Sequence, residues 1–161
     1  MSLKSFAARL FASWSAGRIE KRYQKPRECQ ERVLKSLLNE VAKTAFGKDH
    51  GLTPDMDYTA FRKAVPLVQY EELKPYILRA KEGEENVLWK GKPLYFCKTS
   101  GTTSGAKFIP ITRDSIKNQI NGARNTLLSY IHHTGNASFV DGKMIFLQGS
   151  PELAYENNTP V

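Results

Sequence analysis

The stretch from Thr99 to Lys107 has the residue types and spacing best suited to chemistry. It reads Thr-Ser-Gly-Thr-Thr-Ser-Gly-Ala-Lys. Gly101 and Gly105 allow the backbone to turn through positive φ and to approach a ligand closely. Successive N–H groups in such a turn converge on an anion. Thr99, Ser100, Thr102, Thr103 and Ser104 add hydroxyl donors, and Lys107 adds a cation. A hydrogen bond to a charged partner contributes about 1.5–3 kcal/mol, so three or four suffice to hold a polyphosphate. The expectation is a phosphate loop that binds ATP through Thr99, Ser100, Gly101, Thr102, Thr103, Ser104, Gly105 and Lys107.

The segment is not a Walker A loop. That motif needs Gly-Lys-Ser/Thr running straight into a helix, whereas Gly105 is followed by Ala106, Lys107 and the apolar Phe108-Ile109-Pro110-Ile111. Nor is it a dinucleotide fingerprint, since G-x-G-x-x-G is absent. A plain surface hairpin is the alternative, because Gly, Ser and Thr are common in turns. The length of the segment and its terminal lysine favour the phosphate reading, since long loops in compact domains tend to be functional and a lysine is a compact point charge.

Other candidate groups carry less. Glu71-Glu72 and Glu84-Glu85 suggest paired carboxylates, but neighbours in a helix do not face each other, so they read as solvated helix-end charges. His132-His133 lie at the predicted end of a helix, where the dipole favours them, and no clustered Cys or acid accompanies them. Asn121 and Arg124 sit on the helix behind the loop, as substrate contacts or, more simply, surface residues. Cys29 and Cys97 are far apart and give neither a disulfide framework nor metal spacing. No catalytic residue and no metal ligand is assigned.

The loop needs two strands to hold it. Leu94–Lys98 and Phe108–Thr112 are short apolar runs on either side, and Pro110 makes the second an edge or a short strand. Thr112 is a cap for a helix over 113–134, with Ile116, Ile120, Ala123, Leu127 and Ile131 as its buried face and Gly135 as its stop. Upstream the chain is mainly helical through residue 92. Leu3, Phe6, Leu10 and Trp14 mark an amphipathic helix over 2–24 whose stripe is expected to pack on the domain body. A second helix starts at Pro26, buries Val33, Leu37 and Val41 beside Leu34, Leu38 and Ala42, and ends at Phe46-Gly47. The two are expected to pair antiparallel. Asp57 or Thr59 caps a short helix with Phe61 and Ala64. Another runs from Tyr70 to Lys81 with Leu73, Ile77 and Leu78 inward. Val87-Leu88-Trp89 and residues 143–148 are expected as short strands, followed by an irregular tail over 149–161.

The 161 residues fit one domain or a piece of one. The net charge of +8 is lopsided: residues 1–48 carry 11 Lys/Arg against 4 Asp/Glu. A basic end suits nucleic acid or an acidic membrane surface. Without a nucleic-acid module or aromatic-basic interleaving, a solvated helical face, or one that meets an acidic part of the same protein, is the simpler reading. The first nineteen residues contain no acid, which also resembles a transit peptide; a docking helix is preferred. No apolar run reaches the ~18 residues of a membrane span, and a reducing cytoplasm is the default location. The expected partners include neither nucleic acid nor membrane.

Thr99 through Thr112 resembles the first ATP motif of the plant auxin-responsive acyl acid–amido synthetases and their bacterial homologues, within the adenylate-forming superfamily of acyl-CoA synthetases and luciferase. Phe46 through Gly51, Phe61 through Pro66, Tyr70 through Ile77, Gly83 through Trp89 and Gln148 through Glu152 are similar to the family too, in order. The chain is closer to the bacterial branch, and the likeness spans roughly residues 30–155.

The resemblance implies an α/β fold in which a helical layer leads into the first strands and helix of an adenylate-forming large domain, incomplete as given. It implies a carboxylic acid substrate, ATP, and an amine or amino acid acceptor. It implies Mg²⁺ held by residues outside this chain, together with the C-terminal remainder of the same protein. On that reading the 161-residue chain is the N-terminal part of a larger adenylating domain and is inactive alone. Two other functions compete: a non-catalytic phosphate- or partner-binding module that kept the loop, and a basic helical interaction domain.

Overall fold

The computed structural model describes residues 2–99, 106–143, 145, 154–156 and 159–160. The described chain is mostly helical with small antiparallel strand pairs, as suits an α/β N-terminal domain. It divides into two compact units, one of residues 1–27 and 116–151, the other of residues 28–115 and 152–161.

In the first unit, α1 (Leu3–Tyr23) begins at Ser2, whose hydroxyl accepts from the Ser5 N–H. The face it buries is not the apolar stripe. Ala12 is fully buried, with Ser5 and Ser15 beside it, whereas Leu10 and Trp14 are 59% and 56% exposed and Leu3 and Phe6 also face solvent. Small side chains permit close approach, and Ala12 packs with Leu128, Ile131, Ala137, Ala8 and Phe139. Within this unit the partners of α1 are thus α6 (Arg113–Thr134) and a 3-10 turn at Ser138–Asp141. Asp141 fixes the start of α1 by accepting from the hydroxyls of Ser2 and Ser5. On α6 the buried residues are Leu128 and Ile131. Of the predicted face, Ile131 is buried and Ile116 half-buried, but Ile120, Ala123 and Leu127 are exposed and Leu128 is buried in their place, which corrects the predicted face in part. Gly135, at φ +68°, ends α6, and its N–H bonds the Ile131 carbonyl.

In the second unit, α2 (Pro26–Val41) buries Leu38 but leaves Val33 and Leu37 exposed. It stops at Val41, earlier than predicted. Thr44 starts a separate α3 (Ala45–Asp49), its hydroxyl donating to the Val41 carbonyl at 2.7 Å and accepting from the Gly47 N–H at 3.0 Å. Gly47 is therefore no helix stop. It lies so near α2 that a Cβ would come within 1.9 Å of the Val41 carbonyl oxygen. Asp57 caps α4 (Tyr58–Ala64) through the Ala60 N–H at 2.7 Å.

Then α5 (Tyr70–Lys81) opens with a capping box, the Glu72 carboxylate accepting from the Gln69 N–H at 2.7 Å. It buries Ile77 and Ala80, while Leu78 is exposed. No strand forms at Val87–Trp89. Asn86 takes φ +56° and exchanges two hydrogen bonds with Gly91, closing a loop. The carbonyls of Asn86 and Val87 instead accept from Ala45 and Phe46, which docks α3. Ile77, Ala80, Val87 and Phe96 make the core.

Strands β1 (Tyr95–Lys98) and β2 (Phe108–Ile111) pair antiparallel, from Tyr95 opposite Ile111 to Lys98 opposite Phe108. Phe96, 2% exposed, anchors them in that core. Two-residue strands β3 (Tyr155–Glu156) and β4 (Thr159–Pro160) pair within the segment expected to be irregular. Of the strand expected over 143–148, residues 144 and 146–148 lie outside the described residues.

Candidate functional site

The β1–β2 pair ends where Lys98 lies opposite Phe108, and Thr99 and Lys107 flank that end. Its two stems are bonded to each other: the Thr99 N–H donates to the Lys107 carbonyl at 2.9 Å, and the Lys107 N–H donates to the Thr99 hydroxyl at 3.1 Å. Of the predicted ligands, then, the structure brings Thr99 and Lys107 together. Ser100, Gly101, Thr102, Thr103, Ser104 and Gly105 lie outside the described residues.

Helix α5 forms the wall beside the second stem. The Phe108 N–H donates to the Tyr70 hydroxyl at 2.8 Å, and the Lys107 ammonium lies 5.4 Å from the centre of the Tyr70 ring. The Phe108 ring in turn carries the Lys81 ammonium at 3.7 Å and that of Lys98 at 5.9 Å. Two neighbouring aromatic rings thus collect three ammonium groups at the base of the loop. That donor set is chemically suited to a polyphosphate.

Tyr70, Lys81 and Lys98 were not picked out as site residues from the sequence. Nothing local marks Tyr70, which stands 29 positions before Thr99 and reads as the first residue of a helix. Only the contact between α5 and β2 brings Tyr70 and Lys81 to the loop, whereas Lys98 ends β1 directly before Thr99.

Behind the loop, Thr112 and Ser115 cap α6 reciprocally: Ser115 N–H to the Thr112 hydroxyl at 3.1 Å, and Thr112 N–H to the Ser115 hydroxyl at 2.8 Å. Asp114, in the first turn, accepts from the Trp89 indole at 3.1 Å and pairs with Lys90 at 3.3 Å. The bond to Asp114, then the nearby Asp114 and Glu40 carboxylates, raise the Lys90 pKa. These contacts pin the Asn86–Gly91 loop to the helix start.

The remaining candidates take structural places. Glu72 completes the α5 cap, Glu71 pairs with Lys74, Glu84 with Arg79 and Glu85 with Lys92. His133 Nδ1 meets the Ser129 carbonyl at 2.8 Å. Asn121 and Arg124 are exposed on α6. Cys29 and Cys97 are not disulfide-bonded. Among the described residues no three His, Cys, Asp or Glu side chains cluster as a metal site, and no helix is long and apolar enough to cross a membrane.

Residues 15–158 match the GH3 family N-terminal domain, a span that includes both loop stems, α5 and the start of α6. The chain belongs to the GH3 family. It is 29% identical over 127 residues to the jasmonoyl–L-amino acid synthetase JAR4 of Nicotiana attenuata, covering 77% of this chain and 22% of that protein. It is 37% identical over 89 residues to the indole-3-acetic acid-amido synthetase GH3.8 of Oryza sativa subsp. indica, 54% of this chain and 15% of that one. With the indole-3-acetic acid-amido synthetase GH3.15 of Arabidopsis thaliana it shares 33% over 96 residues, 58% and 16%. This GH3 chain therefore spans about a fifth of the length of these amido synthetases, or less.

Proposed function

We propose that the chain is the ATP-phosphate-binding N-terminal part of an acyl acid–amido synthetase. The observation that carries this reading is the loop stem: Thr99 and Lys107 are tied together, and the Lys107 ammonium and those of Lys81 and Lys98 lie over the Tyr70 and Phe108 rings, inside a region matched by the GH3 N-terminal domain. In the reaction, a carboxylate oxygen attacks the α-phosphorus of ATP and the bond to the β-phosphate oxygen breaks. Acyl-adenylate and pyrophosphate result. An amine, such as that of an amino acid, then attacks the acyl carbon; AMP leaves and the nitrogen loses a proton.

The first step needs alignment and charge neutralisation more than a protein base. Hydroxyls, backbone N–H groups and lysines supply both. In this assignment, carried over from the family resemblance, Ser100, Gly101, Thr102, Thr103, Ser104 and Gly105 would wrap the β- and γ-phosphates, and Lys107 would help to neutralise them. Mg²⁺, where bound with ATP, would supply further neutralisation of their charge.

ATP–pyrophosphate exchange on the natural gene product, with a panel of aryl and alkyl carboxylic acids, tests the reading. Carboxylate-dependent exchange is the expected result. Tight ATP binding with no exchange under any acid would leave a phosphate-binding module without adenylation chemistry.

A further inference from the structure

Tyr70 contacts the loop's exit twice, through different parts of one side chain. Its hydroxyl accepts the Phe108 N–H at 2.8 Å, which fixes the backbone immediately after Lys107. Its ring lies 5.4 Å from the Lys107 ammonium, on the electron-rich surface that attracts a cation. The ring is half-buried in the core formed by Ile77, Ala80, Val87 and Phe96, so its position is set by packing. Tyr70 is also the first residue of α5, next to the Gln69–Glu72 capping box that holds this turn in place.

A lysine has four flexible side-chain torsions, and its freedom must be lost when it binds phosphate. A side chain that keeps both the backbone and the ammonium of Lys107 near their working positions lowers that loss before the ligand arrives. We infer that Tyr70 is the positioning residue for Lys107, so that polyphosphate affinity at the loop depends on a helix outside it. The inference rests on the phosphate-binding reading given above and adds a residue that the motif does not contain.

The test is a double-mutant cycle on the full chain, with binding of MgATP and of inorganic tripolyphosphate read by calorimetry. Tyr70→Phe, which keeps the ring and loses the hydroxyl acceptor, weakens binding about threefold. Tyr70→Leu, which loses both contacts, weakens it about tenfold. In a Lys107→Gln background, Tyr70→Leu costs less than twofold, because the group it positions is gone. Circular dichroism confirms that each variant is folded.

A second readout does not depend on affinity. The ε-methylene protons of Lys107 are shifted upfield by the Tyr70 ring in the unmodified protein and in Tyr70→Phe, and return to ordinary values in Tyr70→Leu. Equal losses of affinity in both backgrounds, or no ring-dependent shift, would make Tyr70 a packing residue only and overturn the inference while leaving the loop assignment standing. Failure of the unmodified chain to bind either probe would remove the loop assignment itself, and the inference with it.

Discussion

Thr99 and Lys107 are bonded to each other twice, backbone N–H to carbonyl at 2.9 Å and backbone N–H to hydroxyl at 3.1 Å. The second bond needs the Thr99 oxygen. Thr99→Val keeps the branched shape and strand preference but removes the acceptor. The expected outcome is an intact fold with ATP binding weakened about fivefold, the equivalent of one net hydrogen bond. Thr99→Ser, which restores the oxygen, is expected to recover most of it. Calorimetric titration of all three proteins decides this, and equal affinities would show that the stem does not organise the loop.

Ser100→Ala and Lys107→Ala in the complete protein are expected to lower carboxylate-dependent pyrophosphate exchange by about tenfold to a hundredfold, with melting temperature little changed. Removing one donor aimed at developing charge costs on that order or more. Unchanged exchange in both would refute the assignment of the loop to the phosphates.

Gly47 has no room for a side chain, since a Cβ there meets the Val41 carbonyl oxygen at 1.9 Å. Backbone on both sides must move to admit even a methyl group. Gly47→Ala is therefore expected to destabilise by about 1–3 kcal/mol. Thermal melts and urea titrations measure it, and a loss under half a kilocalorie per mole would contradict the closeness of α2 and α3.

The two faces of α1 predict opposite mutational responses. Ala12→Leu forces bulk into the contact with Leu128 and Ile131 and is expected to cost about 1–3 kcal/mol. Leu10→Ala, on the exposed face, is expected to stay within about 0.5 kcal/mol. If Leu10→Ala were the more damaging, the buried face would have been assigned the wrong way round.

Asp141 is held below the ordinary carboxylate pKa, first by the Ser2 hydroxyl, next by the Ser5 hydroxyl, with Lys4 assisting. A lowered folded-state value means that the ionised form is the stabilising one. Its contribution is complete above the unfolded value of about 4 and fades as pH falls below that through the depressed folded value. Wild type is thus expected to melt higher than Asp141→Asn at neutral pH, the gap narrowing below about pH 4. A gap that is constant across that range would disconnect the Asp141 charge from the α1 start.

Local chemistry was the legible part. The strands on either side of the loop, the caps at Asp57 and Thr112, and the span of α5 all follow from residue types within a few positions of one another. The faces of the long helices did not follow. Leu3, Phe6, Leu10 and Trp14 have the same helical period as Ser5, Ala8, Ala12 and Ser15, and periodicity cannot say which row a partner covers. Close approach to α6 selects the small row. In the same way, Gly47 looked like a helix stop because a glycine near a helix end suits either a left-handed cap or a tight crossing. The contacts of Tyr70 were invisible because its partners, Lys107 and Phe108, lie far along the chain.

The unit containing α1 joins residues 1–27 to residues 116–151, and the Ser5–Asp141 bond spans 136 positions. That separation puts the order of synthesis on a clock. At about 5–20 residues per second, α1 leaves the ribosome on the order of ten seconds before its binding surface on α6 and the 3-10 turn exists. Meanwhile most of the other unit, residues 28–115, emerges without interruption. The nascent chain therefore carries α1 with both of its faces open, and a slowed ribosome between codons 28 and 141 lengthens the interval in which a chaperone or a protease meets it.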